Sequence, residues 1–483
     1  MSLRESCGVF GAYSSDGDVF PYLYWGMVAQ NHRGHQSYGF ATLNGGAITR
    51  YSDLGLIPTM REVDQDEISH LTGNSGVANV RYATSGPGGR DALRRDAMPI
   101  HIKGDEQSLA LSFNGNIVNV RDLQSRVGVS TDKSDAYALT KLILEVYSDT
   151  GSISEAALEC MEEVEGSYSV TGVTNDGLLF AFKDPLGIKP LCYGGRGEVR
   201  AFSSESVGLD INGLALIREV EPGELMTIKG DFVDRQQIIE SRRRAFCSFE
   251  FAYFARPDAK LNGKYIYQAR KDFGKALARF YSDVAERCEV VIGLPETAND
   301  ATYGFHEESG LPWDMSTRRH RYVTQRAFIT ETGGRDRVIF RKVNILGELV
   351  KGKRIALIDD SIVRGDTTKS TIKRLREAGA SEIHLFITFP KIIGPCFYGI
   401  NMATFEELIG ARLTTEEIAE EINADSVNYL PIDEYISATG MSKFDLCTGC
   451  VTHQYPTPMA QSIAKEGLAR LREGVKEEGR IYE

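Results

Sequence analysis

A chain of 483 residues, 42% hydrophobic and 25% charged, has the make-up of an ordinary globular protein and the length for two or three domains with full-sized cores. Its net charge of −12 argues against a general nucleic-acid or acidic-membrane binder, because both need a cationic face; a small anionic substrate, held by a few local cations, remains open. No apolar run approaches the ~20 residues of a spanning helix, and "MSLRES" lacks the apolar core of a secretory signal. A cytoplasmic location is expected, in which the eight cysteines favour thiol chemistry or metal binding over disulfides.

In chain order, residues 1–6 read as a removable propeptide or as a shorter one preceded by added non-native residues, and Cys7 stands directly before a glycine and a β-type run. A lone cysteine near a terminus is normally a small buried hydrophobe. If the chain is cut before it, however, one residue carries a thiol of pKa ~8.5 and an α-amine of ~7.7–8.0. The amine can then take the thiol proton and leave the thiolate as nucleophile. Short β-type runs follow ("GVFGAY", "GLLFAFK", "GELMTIKGDFV"), alternating with glycine-bearing turns; "SDAYALTKLILEVYSD" is one of few helical patterns. This predicts antiparallel sheets with some helices. Within them "NVRYATSG" offers Arg81 as a bidentate carboxylate clamp. "SFNGNIVN" offers the Asn114 amide and the Gly115 N–H for an oxyanion hole, and "KSDAYAL" offers Asp135 for an ammonium group. Singly these signals are weak, since Asn-Gly is usually a turn. Together they describe hydrolysis of an amide bearing a carboxylate and an ammonium, as glutamine does.

From about residue 290 the rhythm changes to strand–helix–strand: "CEVVIGLP", "NDATYGFHEESG", "KRIALIDD", "TTKSTIKRLREAGA", "EIHLFITFP". Near-continuous apolar strands in this alternation imply a parallel sheet covered on both faces. The expected division is a domain over 7–240, a second over 241–470 with the boundary around "ESRRRA", and a tail over 471–483.

The stretch "IALIDDSIVRGDTTKS" ends an apolar strand in two adjacent acids and follows them with a turn suited to an anion. Ligands of parallel sheets sit beyond the carboxyl ends of the strands. The turn's N–H groups, the hydroxyls of Thr367 and Thr368 and the start of a helix near Thr367 favour a phosphate, and Gly365 permits close approach or a positive φ. Asp359 and Asp360 can accept hydrogen bonds from vicinal hydroxyls or help hold a hydrated Mg²⁺. The bland alternative is a helix cap with solvated aspartates.

"ALIDDSIVRGDTT" resembles the phosphoribosyl pyrophosphate motif of type I phosphoribosyltransferases, and "DDSIVRG" in particular that of the glutamine-dependent amidophosphoribosyltransferases, which open purine synthesis. The resemblance implies that Asp359 and Asp360 bind the ribose hydroxyls and that Arg364, Gly365, Asp366, Thr367 and Thr368 surround the 5′-phosphate; Asp366 departs from the threonine expected there. "GLPETANDATYGF" is similar to the family's pyrophosphate loop, with Thr297 and the amides of Ala298 and Asn299, and "VIFRKVNIL" to a stretch bringing Arg341 and Lys342 to the site. "STRRHRYVTQRAFI" resembles the segment that closes over the substrate, one residue longer here. Earlier, "CGVFG", "HRG", "VRYAT", "NGNI", "DPLGIKPL" and "SSES" follow the order of the family's N-terminal-nucleophile glutaminase domain, an αββα sandwich. That implies Cys7 as nucleophile, Arg81 and Asp135 as glutamine ligands, and Asn114 and Gly115 as oxyanion donors. His35-Gln36 departs from the expected loop after "HRG". Purine-nucleotide inhibition and a homotetramer are further implications. An alternative of another class is a regulatory protein that binds phosphoribosyl pyrophosphate or nucleotides without turnover. A glucosamine-phosphate synthase would need sugar-isomerase motifs in place of "DDSIVRG".

Of the remaining cysteines, Cys447 and Cys450 form a C-x-x-C pair, and Cys247 and Cys396 lie in "FCSFEFAYFARPD" and "GPCFYGI". Four thiolates suit a [4Fe–4S] cluster, while the dispersed spacing by itself leaves zinc open. One branch of the family carries such a cluster, and the resemblance places its ligands at these four positions. Cys160, Cys192 and Cys288 sit in apolar contexts expected to be core.

Overall fold

The computed structural model describes residues 7–60, 62, 65–82, 90–241, 243–320, 343–402 and 404–475. The first half stacks two antiparallel sheets. One has seven strands in the order Ala215–Glu219, Cys192–Arg196, Val199–Ser203, Gly8–Ser14, Ser75–Arg81, Ser37–Asn44, Ala47–Leu54. The other has six, Phe232–Gln237, Glu224–Lys229, Leu179–Lys183, Gly166–Thr174, Ser108–Ile117, Ile100–Lys103. Side chains alternate across a strand, so one set of apolar residues lies between the sheets and the other faces outward. Val9, Ala41 and Val77 meet Ala110, Val173 and Ala181 in the middle. Phe10, Phe40 and Val80 pack outward around helix Phe20–Ala29. Leu109, Leu111 and Phe113 pack outward around helices Asp135–Thr150 and Ile153–Glu163. The result is the expected four-layer αββα sandwich. Helix Asp135–Thr150 starts where the Ser134 hydroxyl accepts a hydrogen bond from the Tyr137 N–H and stops at Gly151, whose φ of 68° suits a residue without a Cβ.

The second half is built on four parallel strands, Val290–Gly293, Arg354–Asp359, Glu382–Ile387 and Ser426–Tyr429, in that order. Ile292, Leu357 and Leu385 face helices Asp366–Glu377 and Thr415–Ile422. Ala356, Ile358 and Phe386 face helices Ile266–Phe280 and Asn299–Ser309. Burial on both faces is why these strands read as unbroken apolar runs. The last two helices touch backbone to backbone: a Cβ on Gly274 would lie 1.8 Å from the Ala301 carbonyl oxygen, and one on Gly304 1.9 Å from that of Lys271.

The two halves share a core, with Val118, Ile188 and Val207 joining Phe246, Phe249 and Phe397. Across that junction Asn116 Nδ2 donates to the Phe397 carbonyl at 3.0 Å and Ser167 Oγ to that of Tyr398 at 3.1 Å. Among the described residues no helix is long and apolar enough to cross a membrane.

Two candidate active sites

The first site forms at one end of the sandwich. Cys7 immediately precedes the central strand Gly8–Ser14, whose first residue pairs with Val80, so Cys7 lies beside Arg81 at the end of strand Ser75–Arg81. Its thiol is buried and directs Sγ to the Tyr82 carbonyl at 3.6 Å. Burial pushes the thiol's pKa up, while the Tyr82 contact, Arg81 and Lys189 act in the opposite sense. From the facing sheet comes strand Ser108–Ile117, with Asn114 and Gly115; Asn79 Nδ2 stitches it to the Cys7 sheet by donating to the Phe113 carbonyl at 3.1 Å. Gly115 is sterically required: a Cβ there would lie 1.9 Å from the Ser167 carbonyl oxygen. Asp135 opens the following helix, where Oδ1 accepts the Ala136 N–H at 2.8 Å and Oδ2 the Ile117 N–H at 3.3 Å. Burial raises the Asp135 pKa, against the pull of its N–H donors and of Arg81. Cys7, Arg81 and Asp135, scattered over more than a hundred positions, thus lie within electrostatic reach of one another at one end of the sandwich, with Asn114 and Gly115 on a strand of the facing sheet.

A group that the sequence reading did not single out lies beneath Cys7. Arg33 is fully buried; its Nε donates to the Cys7 carbonyl at 3.0 Å. Its Nη1 reaches Glu205 at 2.5 Å and Glu250 at 2.9 Å, and Nη2 reaches Glu250 at 2.7 Å. His32 Nε2 joins Glu205 at 2.8 Å. Arg33 and His32 hold Glu205 far below the usual carboxylate range despite its burial. "HRG" and "SSES" were the only sequence signals of this network; Glu250, in the second half, had none. Removing one partner of a buried ion pair leaves a charge stranded and costs about 3–5 kcal/mol. Arg33→Met should therefore lower the denaturant midpoint sharply. Arg33→Met combined with Glu250→Gln should lose less than the sum of the two single losses.

The second site lies at the carboxyl ends of the parallel strands. Gly293 and Ile358 are partners at the ends of adjacent strands, so the loop carrying Thr297 and the acidic pair emerge side by side. The Leu294 N–H donates to the Ile358 carbonyl at 2.9 Å and Thr317 Oγ1 to that of Gly293 at 2.6 Å, fixing the base of the loop. Asp359 and Asp360 are buried, which removes the solvated-aspartate reading. Asp359 Oδ1 accepts the Asp360 N–H at 2.9 Å and Asp360 Oδ1 the Ser361 N–H at 2.9 Å; Asp360 Oδ2 is buried with no hydrogen-bond partner among the described residues. Burial raises both pKa values, and for Asp359 the Asp360 charge adds to the rise; buried Arg270 favours the ionised form of Asp360. Arg270 itself is anchored on the carbonyls of Phe251 and Ala255 at 3.0 and 2.8 Å.

Gly365 has a φ of 85° and caps helix Asp366–Glu377, so the turn does use glycine's left-handed freedom. Arg364 turns its guanidinium to Glu407 at 2.5 Å. Thr368 is buried and Thr367 half-buried; Asp366 is exposed in the first helical turn, where the helix dipole favours a carboxylate. Arg341, Lys342 and residues 321–330 of the closing segment lie outside the described residues.

The four cysteines converge where the halves meet. Cys247 and Cys447 are paired partners on two short parallel strands, Cys396 Sγ accepts the Tyr398 N–H at 3.3 Å, and the Cys450 carbonyl accepts the N–H groups of Ile393 and Gly394. All are buried, and the thiols of Cys247, Cys447 and Cys450 each feel the charge of others of the four. Burial pushes Cys447 up to about 12. Among the described residues no three His, Cys, Asp or Glu side chains stand close enough to grip a single ion. Cys160, Cys192 and Cys288 are buried in the core, as expected.

A family model for the glutamine amidotransferase domain matches residues 90–210. The amidophosphoribosyltransferase of Methanothermobacter thermautotrophicus is 34% identical over 471 residues, covering 96% of this chain and 97% of that protein. That of Bacillus subtilis is 33% identical over 483 residues, covering 98% of each. Among solved structures, the glutamine phosphoribosylpyrophosphate amidotransferase from B. subtilis complexed with ADP and GMP superposes with a TM-score of 0.84 at 32% identity, over 94% of this chain and 98% of that one. By identity and by coverage at both ends, the chain belongs to the amidophosphoribosyltransferase family.

Proposed function

We propose that the chain transfers the amide nitrogen of glutamine to phosphoribosyl pyrophosphate, giving 5-phosphoribosylamine, glutamate and diphosphate, with the chemistry divided between the two sites. The observation that carries this reading is the pairing, in one chain, of a thiol–arginine–aspartate end of a sandwich with a buried acidic pair beside a left-handed glycine turn. Cys7, freed at its amino terminus by loss of residues 1–6, attacks the glutamine amide, its α-amine taking the thiol proton. Arg81 holds the carboxylate and Asp135 the ammonium. The Asn114 amide and the Gly115 N–H stabilise the tetrahedral oxyanion; ammonia leaves and water releases glutamate. At the second site Asp359 and Asp360 hold the ribose hydroxyls, the N–H groups of residues 364–368 with the hydroxyls of Thr367 and Thr368 hold the 5′-phosphate, and Thr297 and Lys342 hold the diphosphate. Ammonia attacks C1 of the ribose as diphosphate leaves. A closing segment over 317–330 keeps the ammonia from water. The two units span 7–240 and 241–470.

Two cofactors fit residues of this chain. The unpartnered Oδ2 of Asp360 and the adjoining Asp359 suit Mg²⁺, directly or through its waters, which supplies charge neutralisation of the leaving diphosphate. Cys247, Cys396, Cys447 and Cys450, all buried where the halves meet, would hold a [4Fe–4S] cluster, which would supply a structural tie between the halves. Purified anaerobically, the protein should carry close to four irons and four sulfides per chain, and Cys447→Ser should lose most of both; one zinc per chain would replace the cluster reading. A cytoplasmic homotetramer open to purine-nucleotide inhibition completes the proposal, and the exposed apolar Ile217, Phe232 and Phe444 are surface that an oligomer can cover.

The test is diphosphate release in the presence of phosphoribosyl pyrophosphate and Mg²⁺, with glutamine or ammonia as nitrogen donor. Both donors should support release, and only glutamine should yield glutamate. No release with either donor would overturn the reading.

A further inference from the structure

A cavity of about 410 Å³ lies where the two halves meet, apart from both candidate sites. Lys183, Glu219 and Glu221 line it from the first half and Arg244, Asn262 and Asp445 from the second. Its size is at the small end of the ~300–1,000 Å³ typical of small-molecule sites. Two donors stand out. Lys183 closes strand Leu179–Lys183 and is 3% exposed; among the described residues its ammonium makes no hydrogen bond or close ion pair. Burial pushes its pKa down while Glu219, Asp184 and Glu221 support the charge from a distance. Asn262 Nδ2 is also buried with no hydrogen-bond partner among the described residues. Buried polar groups of native proteins are nearly always satisfied, so an amide without a partner and an ammonium that faces the cavity without a hydrogen bond leave donors for an occupant.

The acids of the lining choose the ligand's charge. Glu221 is already matched, its Oε2 lying 2.7 Å from Arg244 Nη2. Glu219 accepts the Asn262 N–H with one oxygen and Asp445 adds a second carboxylate. A pure anion would satisfy Lys183 but face these acids; a pure cation would do the reverse. We propose that this cavity binds a small zwitterion of the α-amino-acid class, its carboxylate on Lys183 Nζ and Asn262 Nδ2 and its ammonium toward Glu219 and Asp445. Because the walls come from both halves, an occupant braces the junction between them. The inference does not depend on the chemistry assigned to either candidate site.

Thermal unfolding of the full chain tests it, with the common α-amino acids added one at a time and with inorganic phosphate and putrescine as single-sign probes. At least one amino acid should raise the midpoint by several degrees. That shift should vanish in Lys183→Met and weaken about tenfold in affinity in Asn262→Ala, read by calorimetry; phosphate and putrescine should give none. A glutamine response from the Cys7 site would be told apart by surviving Lys183→Met and failing in Arg81→Ala. If Lys183→Met does not fold, Asn262→Ala and Lys183→Arg carry the test. No amino-acid shift dependent on Lys183, as for a cavity filled by water, or an equal Lys183-dependent shift with phosphate, overturns the proposal.

Discussion

Replacing Cys7 by alanine should reduce glutamine-driven diphosphate release by on the order of 10⁴-fold or more, as loss of a nucleophile does elsewhere, while ammonia-driven release stays within about twofold of the parent. The asymmetry follows from the architecture. Cys7 sits at the end of a sandwich strand, and the acidic pair at the end of a strand in a different sheet. On the proposed division of the chemistry, free ammonia needs only the second. Retained glutamine-driven turnover in Cys7→Ala would remove the thiol from the reaction. Loss of ammonia-driven turnover with the fold intact would mean that the two sites are not separable. Arg81→Ala and Asp135→Asn should raise the KM for glutamine strongly and leave the ammonia reaction alone.

Asp359→Asn and Asp360→Asn should each depress turnover with both nitrogen donors by about 10²–10³-fold, the usual scale for losing one charged stabiliser in a water-poor site. The same substitutions carry a stability signature. Burial raises the pKa of both carboxyls in the fold, whereas the unfolded chain binds their protons at ~3.9. Between that value and the raised folded one, the native state therefore holds more protons. By linkage its stability from this pair is present at acid pH and is lost as pH rises through the folded pKa. Asp359→Asn keeps an oxygen for the Asp360 N–H and removes the buried charge. Without ligand it should melt above the parent at pH ~8, with the advantage shrinking toward pH ~4. A parent that gains on the variant as pH rises would mean that the pair is solvated or already paired. Mg²⁺ with phosphoribosyl pyrophosphate should close the gap by stabilising the parent alone.

The periodicities were readable because each element satisfies itself locally. Apolar runs bounded by glycine located strands Val290–Gly293 and Arg354–Asp359; helix Asp366–Glu377 begins one residue before the Thr367 expected. The glycine turn was legible for the same reason: Gly365 answers to its own backbone angle. Burial of the acidic pair was not. The sequence permitted solvated carboxylates, and only the packing of strand Arg354–Asp359 between two others in the sheet excludes water from them. The sequence named Cys7, Arg81, Asn114, Gly115 and Asp135 by chemistry and order; that Cys7, Arg81 and Asp135 come within reach of one another depends on two sheets facing one another through Asn79 and Phe113.

What the chain determined by itself is the menu: residue types able to open an amide, a turn able to hold a phosphate, four thiols, and the two rhythms that make a sandwich and a parallel sheet. These are short-range properties, set by side-chain chemistry and by hydrogen bonds a few residues long. The tertiary structure alone decided that Arg33 reaches 217 residues along the chain to Glu250 and back to the Cys7 carbonyl, that Cys247 lies beside Cys447, and that Lys183 faces a cavity walled by both halves. Such pairings leave no local trace, because a buried charge and a solvated one have the same letter in the sequence. What separates them is whether distant segments exclude water at that point, and that depends on the whole fold.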